Sequence, residues 1–177
     1  MNQNRKAVSP MSNVGRNLYV KEHITESLLR LLEQKEISDI SISELCDDAG
    51  IGRASFYRNF DSKEDILRAH INQLFDGWKS EWGKNSSLPL SAGIGMIFGH
   101  FEQHMAFYRL LNERRLVYLL KDVILEIMEL KPDLPKAEAY AKAFVAYSLY
   151  GWIEVWFQRG MQESAEEMLE LFRSQGV

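Results

Sequence analysis

Between positions 53 and 63 the chain carries Arg53, Ser55, Tyr57, Arg58, Asn59 and Lys63. Arginine can donate a bidentate pair to guanine, serine and asparagine reach base edges or phosphate, and a tyrosine hydroxyl suits a phosphate oxygen. Phe56 and Phe60, four residues apart, fall together on one face of a helix and can anchor it from within. The chemistry this spacing offers is non-covalent recognition of a polyanion. Elsewhere no nucleophile–base pair, paired carboxylates or phosphate loop stands at useful spacing, so neither an enzyme nor a cofactor is expected.

Such a display needs elements to hold it. Ser41-Ile42-Ser43-Glu44 has the spacing of a capping box and opens a short helix with Ile42, Leu45, Cys46 and Ala49 facing inward. Gly50 suits a left-handed end to that helix, because glycine takes positive φ without steric cost. The displayed helix follows at 53–59, too short to persist without packing. Ser62 then caps a longer helix, with acids in its first turn and Lys63 beside its free N–H groups. A short helix, a glycine turn and a second short helix form the helix-turn-helix pattern. A major groove about 12 Å wide accepts one such helix.

The rest of the chain also reads as helices. Ile24, Leu28, Leu31 and Leu32 define one face of a helix over 16–35. Further helices are expected at 62–82, 90–104, 106–112, 114–130, 135–159 and 164–174, with no strand. The clearest linker is 83–89. The expected domains are a flexible arm at 1–14, a helix-turn-helix domain at 15–82 and a helical domain at 83–177.

Composition agrees with a globular, all-α chain: 177 residues, 46% hydrophobic and 26% charged, exclude disorder and fibrous repeats. One cysteine, Cys46, excludes a disulfide framework and is read as a small buried hydrophobe. The net charge of −4 is shared by both halves, so DNA contact must come from a local cluster: Arg53, Arg58 and Lys63 with Arg5, Lys6 and Arg16. No apolar run spans a bilayer and residues 1–14 are polar, which predicts a cytoplasmic, nucleoid-associated protein with no membrane partner. His100 and His104 have the i, i+4 spacing of a metal pair, but without a Glu at 101 or a third ligand no metal site is expected. Gly93, Gly95 and Gly99 follow no strand and predict close helix packing instead of a dinucleotide loop.

The run from Ile42 to Leu67 resembles the DNA-binding domain of the TetR family of bacterial regulators. The matching features are Ala49-Gly50, Tyr57-x-x-Phe60 and Ser62-Lys63-Glu64-Asp65-Ile66-Leu67, with the Ile24–Leu32 helix at the right distance upstream. The sequence departs from the family at Gly52, where Ser or Ala is common, and at Cys46, where Ala is usual. The resemblance implies that Arg53, Ser55 and Arg58 face bases or adjacent phosphates. Tyr57 and Lys63 would hold phosphates, and Asn59 belongs to the same face.

More loosely, Phe144 to Met161 and Ser164 to Met168 resemble a subgroup common in Gram-positive bacteria, whose last two helices pair with those of a second subunit. The resemblance implies a homodimer on a palindromic double-stranded operator, with Leu149, Trp152, Trp156 and Phe157 at the interface. Half-sites one turn apart require recognition helices about 34–36 Å apart, which only a dimer supplies. Phe98, Phe101, His104, Tyr108, Tyr118 and Tyr147, with Met105, Met128 and Tyr140, are candidates to line an internal pocket for a small-molecule effector. The expected protein is a regulator, foremost a repressor. The alternative is a TetR-like interaction module or co-activator whose partner is another protein.

Overall fold

A computed structural model describes residues 13–84 and 90–175; of Asn13–Arg16 and Leu90 only the backbone is described. Residues 1–12 of the expected 1–14 arm, with Arg5 and Lys6, the Arg16 side chain and residues 85–89 of the expected 83–89 linker lie outside them, while 13–14 and 83–84 are helical. Among the described residues the structure is entirely helical: α1 (Asn13–Leu32), a single 3-10 turn (Ile37–Asp39), α2 (Ile42–Asp48), α3 (Arg53–Asn59), α4 (Lys63–Lys84), α5 (Leu90–Gln103), α6 (Met105–Glu113), α7 (Leu119–Ile127), α8 (Lys136–Gln158) and α9 (Ala165–Ser174). Contacts divide the chain into a unit up to Ile66 and a unit from Leu67. The boundary falls inside α4, earlier than the linker at which the sequence places it.

In the first unit α1 packs on α2 and α3, and Ile24, Leu28 and Leu32 of α1, Leu45 of α2 and Phe56 of α3 are all fully buried. Burial on this scale stabilises by roughly 1.5–3 kcal/mol per large side chain, which is why two seven-residue helices persist here. Polar clamps close the unit. Arg30 donates to Asp48 at 2.5 Å and to Ser27, which is buried among apolar neighbours. Ser41 caps α2 by accepting from the Glu44 N–H. The reciprocal half of the expected box is replaced, because Glu44 accepts from Lys35 at 2.5 Å.

The second unit is an aromatic core. Phe75, Phe98, Phe101, Tyr108, Trp156, Phe157 and Phe172 are buried, with ring centroids 4.5 Å apart for Phe101 and Tyr108 and 5.4 Å for Phe101 and Phe157. Two of the three glycines of α5 serve close packing, whereas a Cβ at Gly99 would meet nothing within 4 Å, contrary to its sequence reading. A Cβ at Gly93 would stand 2.7 Å from the Trp82 ring, and one at Gly95 would stand 2.8 Å from Leu169 of α9.

Helix ends share one device. Gly50 has φ +66°, and the N–H of Ile51 reaches back to the Cys46 carbonyl. Arg115 and Glu129 take left-handed φ in the same way, with Leu116 donating to Leu111 and Leu130 to Leu125. This explains the one shortened element. The apolar pattern suggests helix over 114–130, but Arg115 ends α6 and tight turns occupy the residues before Leu119. At the start of α9 both halves of the Ser164–Glu167 capping box are present.

Candidate nucleic-acid interface

The first unit puts α3 on its surface. Phe56 and Phe60 point inward, 0% and 7% exposed, while Tyr57 is 58% exposed between them in sequence. Arg53 and Arg58 are also exposed, and Ser55 and Asn59 are half-buried. Helical geometry causes this split, since positions four apart share a face and their neighbours do not. Gly52 precedes α3 in extended conformation (φ −76°) without a side-chain cap, so its place needs no special backbone freedom.

The polar side chains are only partly free. Arg58 folds along its own helix, donating to the Ala54 carbonyl at 3.2 Å and to the Ser55 hydroxyl at 3.1 Å. These are exposed bonds, cheap to exchange for a phosphate or base. Asn59 donates to the Ser55 carbonyl at 2.8 Å and so secures the end of α3. Among the described residues Arg53 and Tyr57 carry no such tie.

Lys63 differs from its sequence reading. Its ammonium donates to the Ile37 carbonyl and, at 2.5 Å, to the Ile40 carbonyl. A cation placed on two backbone acceptors is committed to the protein. It fastens the first turn of α4 to the segment that leads into α2, and through it holds the helix-turn-helix in register. Asp65 N–H meanwhile donates to Ser62, as expected for the cap. Nothing in the residue type announces this tie, because the two carbonyls lie more than twenty residues upstream.

The residues proposed for an effector site do not converge. Phe98, Phe101 and Tyr108 are fully buried in the aromatic core, whereas Tyr118 and Tyr147 are about half exposed and Tyr140 more so. Lys121 stands over the Tyr147 ring at 5.4 Å. His104 is half-buried beside His100, their rings 4.9 Å apart. His100 is buried, with Nε2 2.7 Å from the Tyr108 hydroxyl. Burial first, and His104 second, push its pKa down to about 4. Burial raises the Tyr108 hydroxyl and, together with His104, lowers His70. His100 is therefore part of the core while His104 is half-buried beside it, and among the described residues no group of three His, Cys, Asp or Glu could hold a metal ion.

Of the proposed interface residues, Leu149, Trp156 and Phe157 are buried within the protomer, at 0–1% exposure, and only Trp152 is part-exposed. They are spent on their own core, since Trp156 stacks edge-on with Phe98 and its indole donates to the Glu163 carbonyl. What α8 leaves outside is Tyr140, Phe144, Tyr147 and Val155, joined by Leu171 of α9. A groove of about 490 Å³ runs between Tyr147, Val155 and Leu171, past Ser148, Gly151 and Trp152. The i, i+4, i+7 spacing of Tyr140, Phe144 and Tyr147 was a readable signal for that stripe.

A capped short helix, a left-handed glycine turn and an aromatic-anchored second helix with an exposed polar face define a helix-turn-helix protein. Comparison with known proteins narrows the class. A family model described as bacterial regulatory proteins, tetR family, matches residues 24–70, and one described as transcriptional regulator C-terminal region matches 90–174. The HTH-type transcriptional regulator EthR of Mycolicibacterium smegmatis is 34% identical over 87 residues, 45% of this chain and 40% of its own length. The uncharacterized HTH-type transcriptional regulator YerO of Bacillus subtilis is 29% identical over 119 residues, 63% of this chain and 39% of its own. The matches thus span about two fifths of these curated relatives. A crystal structure of a TetR transcriptional regulator from Streptococcus agalactiae superposes with a TM-score of 0.65 at 21% identity, covering 94% of this chain and 98% of that one, a likeness of fold. The chain belongs to the tetR family of bacterial regulatory proteins. The family and the named relatives are regulators, not enzymes. Among the described residues no helix is long and apolar enough to cross a membrane.

Proposed function

We propose that the protein represses transcription by binding a palindromic operator as a homodimer, and that a small molecule held in the second unit releases it. The observation that carries this reading is the outer face of α3, where Arg53, Tyr57 and Arg58 stand exposed over the buried pair Phe56 and Phe60. Arg53 and Arg58 serve base edges and adjacent phosphates, Ser55 supports Arg58, and Tyr57 holds phosphate. Asn59 and Lys63 act by holding α3 and α4 in place.

The twofold mate is a second copy seated on the apolar face of α8 and α9 around Tyr147, Gly151, Trp152, Val155 and Leu171. An exposed apolar stripe on the long α8, continued by Leu171 of α9, supports this, because such patches mark interaction surfaces. An effector acts by preferring one of two arrangements of the reading heads.

The test is a footprint on the promoter next to the protein's own gene, with gel shifts at two salt concentrations and light scattering on the same samples. A protected inverted repeat, a dimer mass and a steep salt dependence are expected, each phosphate contact adding about 0.9 to the slope. Arg53→Ala should relax base preference without altering the slope by much. A monomer that leaves the promoter unprotected overturns the reading.

A further inference from the structure

The second unit contains a cavity that none of the expected pocket residues except Met128 helps to line. It has a volume of about 600 Å³ and lies between the end of α4, the start of α5, the end of α7 and α8. That size takes a drug-sized molecule. Its inner wall is aromatic. The rings of Trp78 and Trp82 are parallel within 10° with centroids 6.0 Å apart. Trp82 lies directly against Gly93, where a Cβ would collide with it, and the Trp78 indole donates to the Gly93 carbonyl at 3.3 Å. Ile94 and Ile97 continue the apolar wall.

The rim sets the sign of charge. Lys142 is already matched by Glu138 at 3.3 Å and Glu129 at 3.5 Å. Lys79 donates to Asn72 at 3.2 Å and has Asp76 at 3.9 Å. Glu126 lines the same cavity with no ion pair among the described residues. α7 and α4 both end at this rim. Of the charged side chains on the rim, Lys79, Lys142 and Glu129 are paired, and Glu126 has no ion pair among the described residues.

We propose that this cavity binds an aromatic organic cation, its ring system against Trp78 and Trp82 and its charge at Glu126. The proposal rests on reading the second unit as the sensing half of the regulator. Aromatic walls favour an aromatic guest, since ring pairs gain more than their buried area alone. The rim favours a positive charge over a negative one.

One tricyclic frame in three charge states tests it. The intact chain is titrated by calorimetry at pH 8 with N-methylacridinium, acridine and acridine-9-carboxylate, and tryptophan quenching is followed in parallel. The cation should bind one per chain, about fivefold tighter than the neutral frame, with the anion weakest. Glu126→Gln, a change at an exposed position, should abolish the preference for the cation and leave the affinity for acridine unchanged. Trp82→Leu should weaken all three. Equal or tighter binding of the anion, an unchanged charge preference in Glu126→Gln, or no saturable binding of any frame overturns the proposal. If Trp82→Leu does not fold, the Glu126→Gln comparison decides alone. Retention of promoter DNA is measured without probe. Retained DNA with an empty cavity sinks only the cation site, and a filled cavity with no DNA retention sinks only the operator reading.

Discussion

In the first unit α3 sorts its side chains by face within seven residues: Phe56 is buried, whereas Arg53, Tyr57 and Arg58 are exposed. In the second unit the order is mixed. Aromatic and titratable groups fill the interior, with His100 against Tyr108, while Tyr140 and Phe144 of α8 stand in solvent. A reading head works through what it shows, so its motif and its function coincide. The second unit, which we propose senses and pairs, would work through cavities and faces, where the same residue types serve as core, pocket wall and interface.

If the first unit is a small scaffold carried by a few anchors, removing one should undo it. Phe56→Ala takes a fully buried ring from its centre and should cost about 3–5 kcal/mol. Circular dichroism melts should show an early loss of helix, and DNA binding should vanish with it. Persistence of both would break the contrast between an anchored head and a larger, redundant aromatic core.

The second unit should instead be sensitive to acid. The folded pKa of His100 lies near 4, below the ordinary value of 6.5. Protons therefore bind the unfolded chain first as pH falls. Its contribution is complete above pH 6.5, is lost between 6.5 and about 4, and is constant below that. The loss amounts to about 3 kcal/mol, with His70 adding in the same direction. Denaturant melts across this window should show the decline, and His100→Gln, which keeps a hydrogen-bonding group for Tyr108, should flatten it. A decline of equal size in that variant would place the sensitivity elsewhere.

Lys63 sharpens the comparison within the reading head. Because its ammonium is held by two backbone carbonyls, Lys63→Met should lower stability by about 2 kcal/mol and leave the salt slope of DNA binding unchanged. A stable variant whose slope falls by about 0.9 would make it a phosphate contact after all. The smallest effect belongs to Tyr57→Phe. Stability should stay within about 0.5 kcal/mol, and affinity for every DNA sequence should drop by about 1 kcal/mol. An effect confined to one operator sequence would turn Tyr57 into a base reader.

Much of this was readable in one dimension. Ser41, Gly50 and Ser62 announce helix ends because capping and left-handed turns are local chemistry, satisfied by the nearest N–H or by the absence of a Cβ. The polar face of α3 follows from helical period alone. Of the three glycines assigned to close packing, Gly93 and Gly95 are packed closely and Gly99 is not, and the partners Trp82 and Leu169 had no sequence signal.

The chain by itself determined the order of helices, their caps and which α3 residues share a face, since each depends on neighbours within about four positions. Tertiary structure alone decided that Lys63 serves Ile37 and Ile40, that Leu149, Trp156 and Phe157 belong to the protomer's core, and that Trp78, Trp82 and Glu126 border one cavity. Those outcomes depend on which helices meet, and an aromatic or charged residue has the same local pattern whichever neighbour it finds.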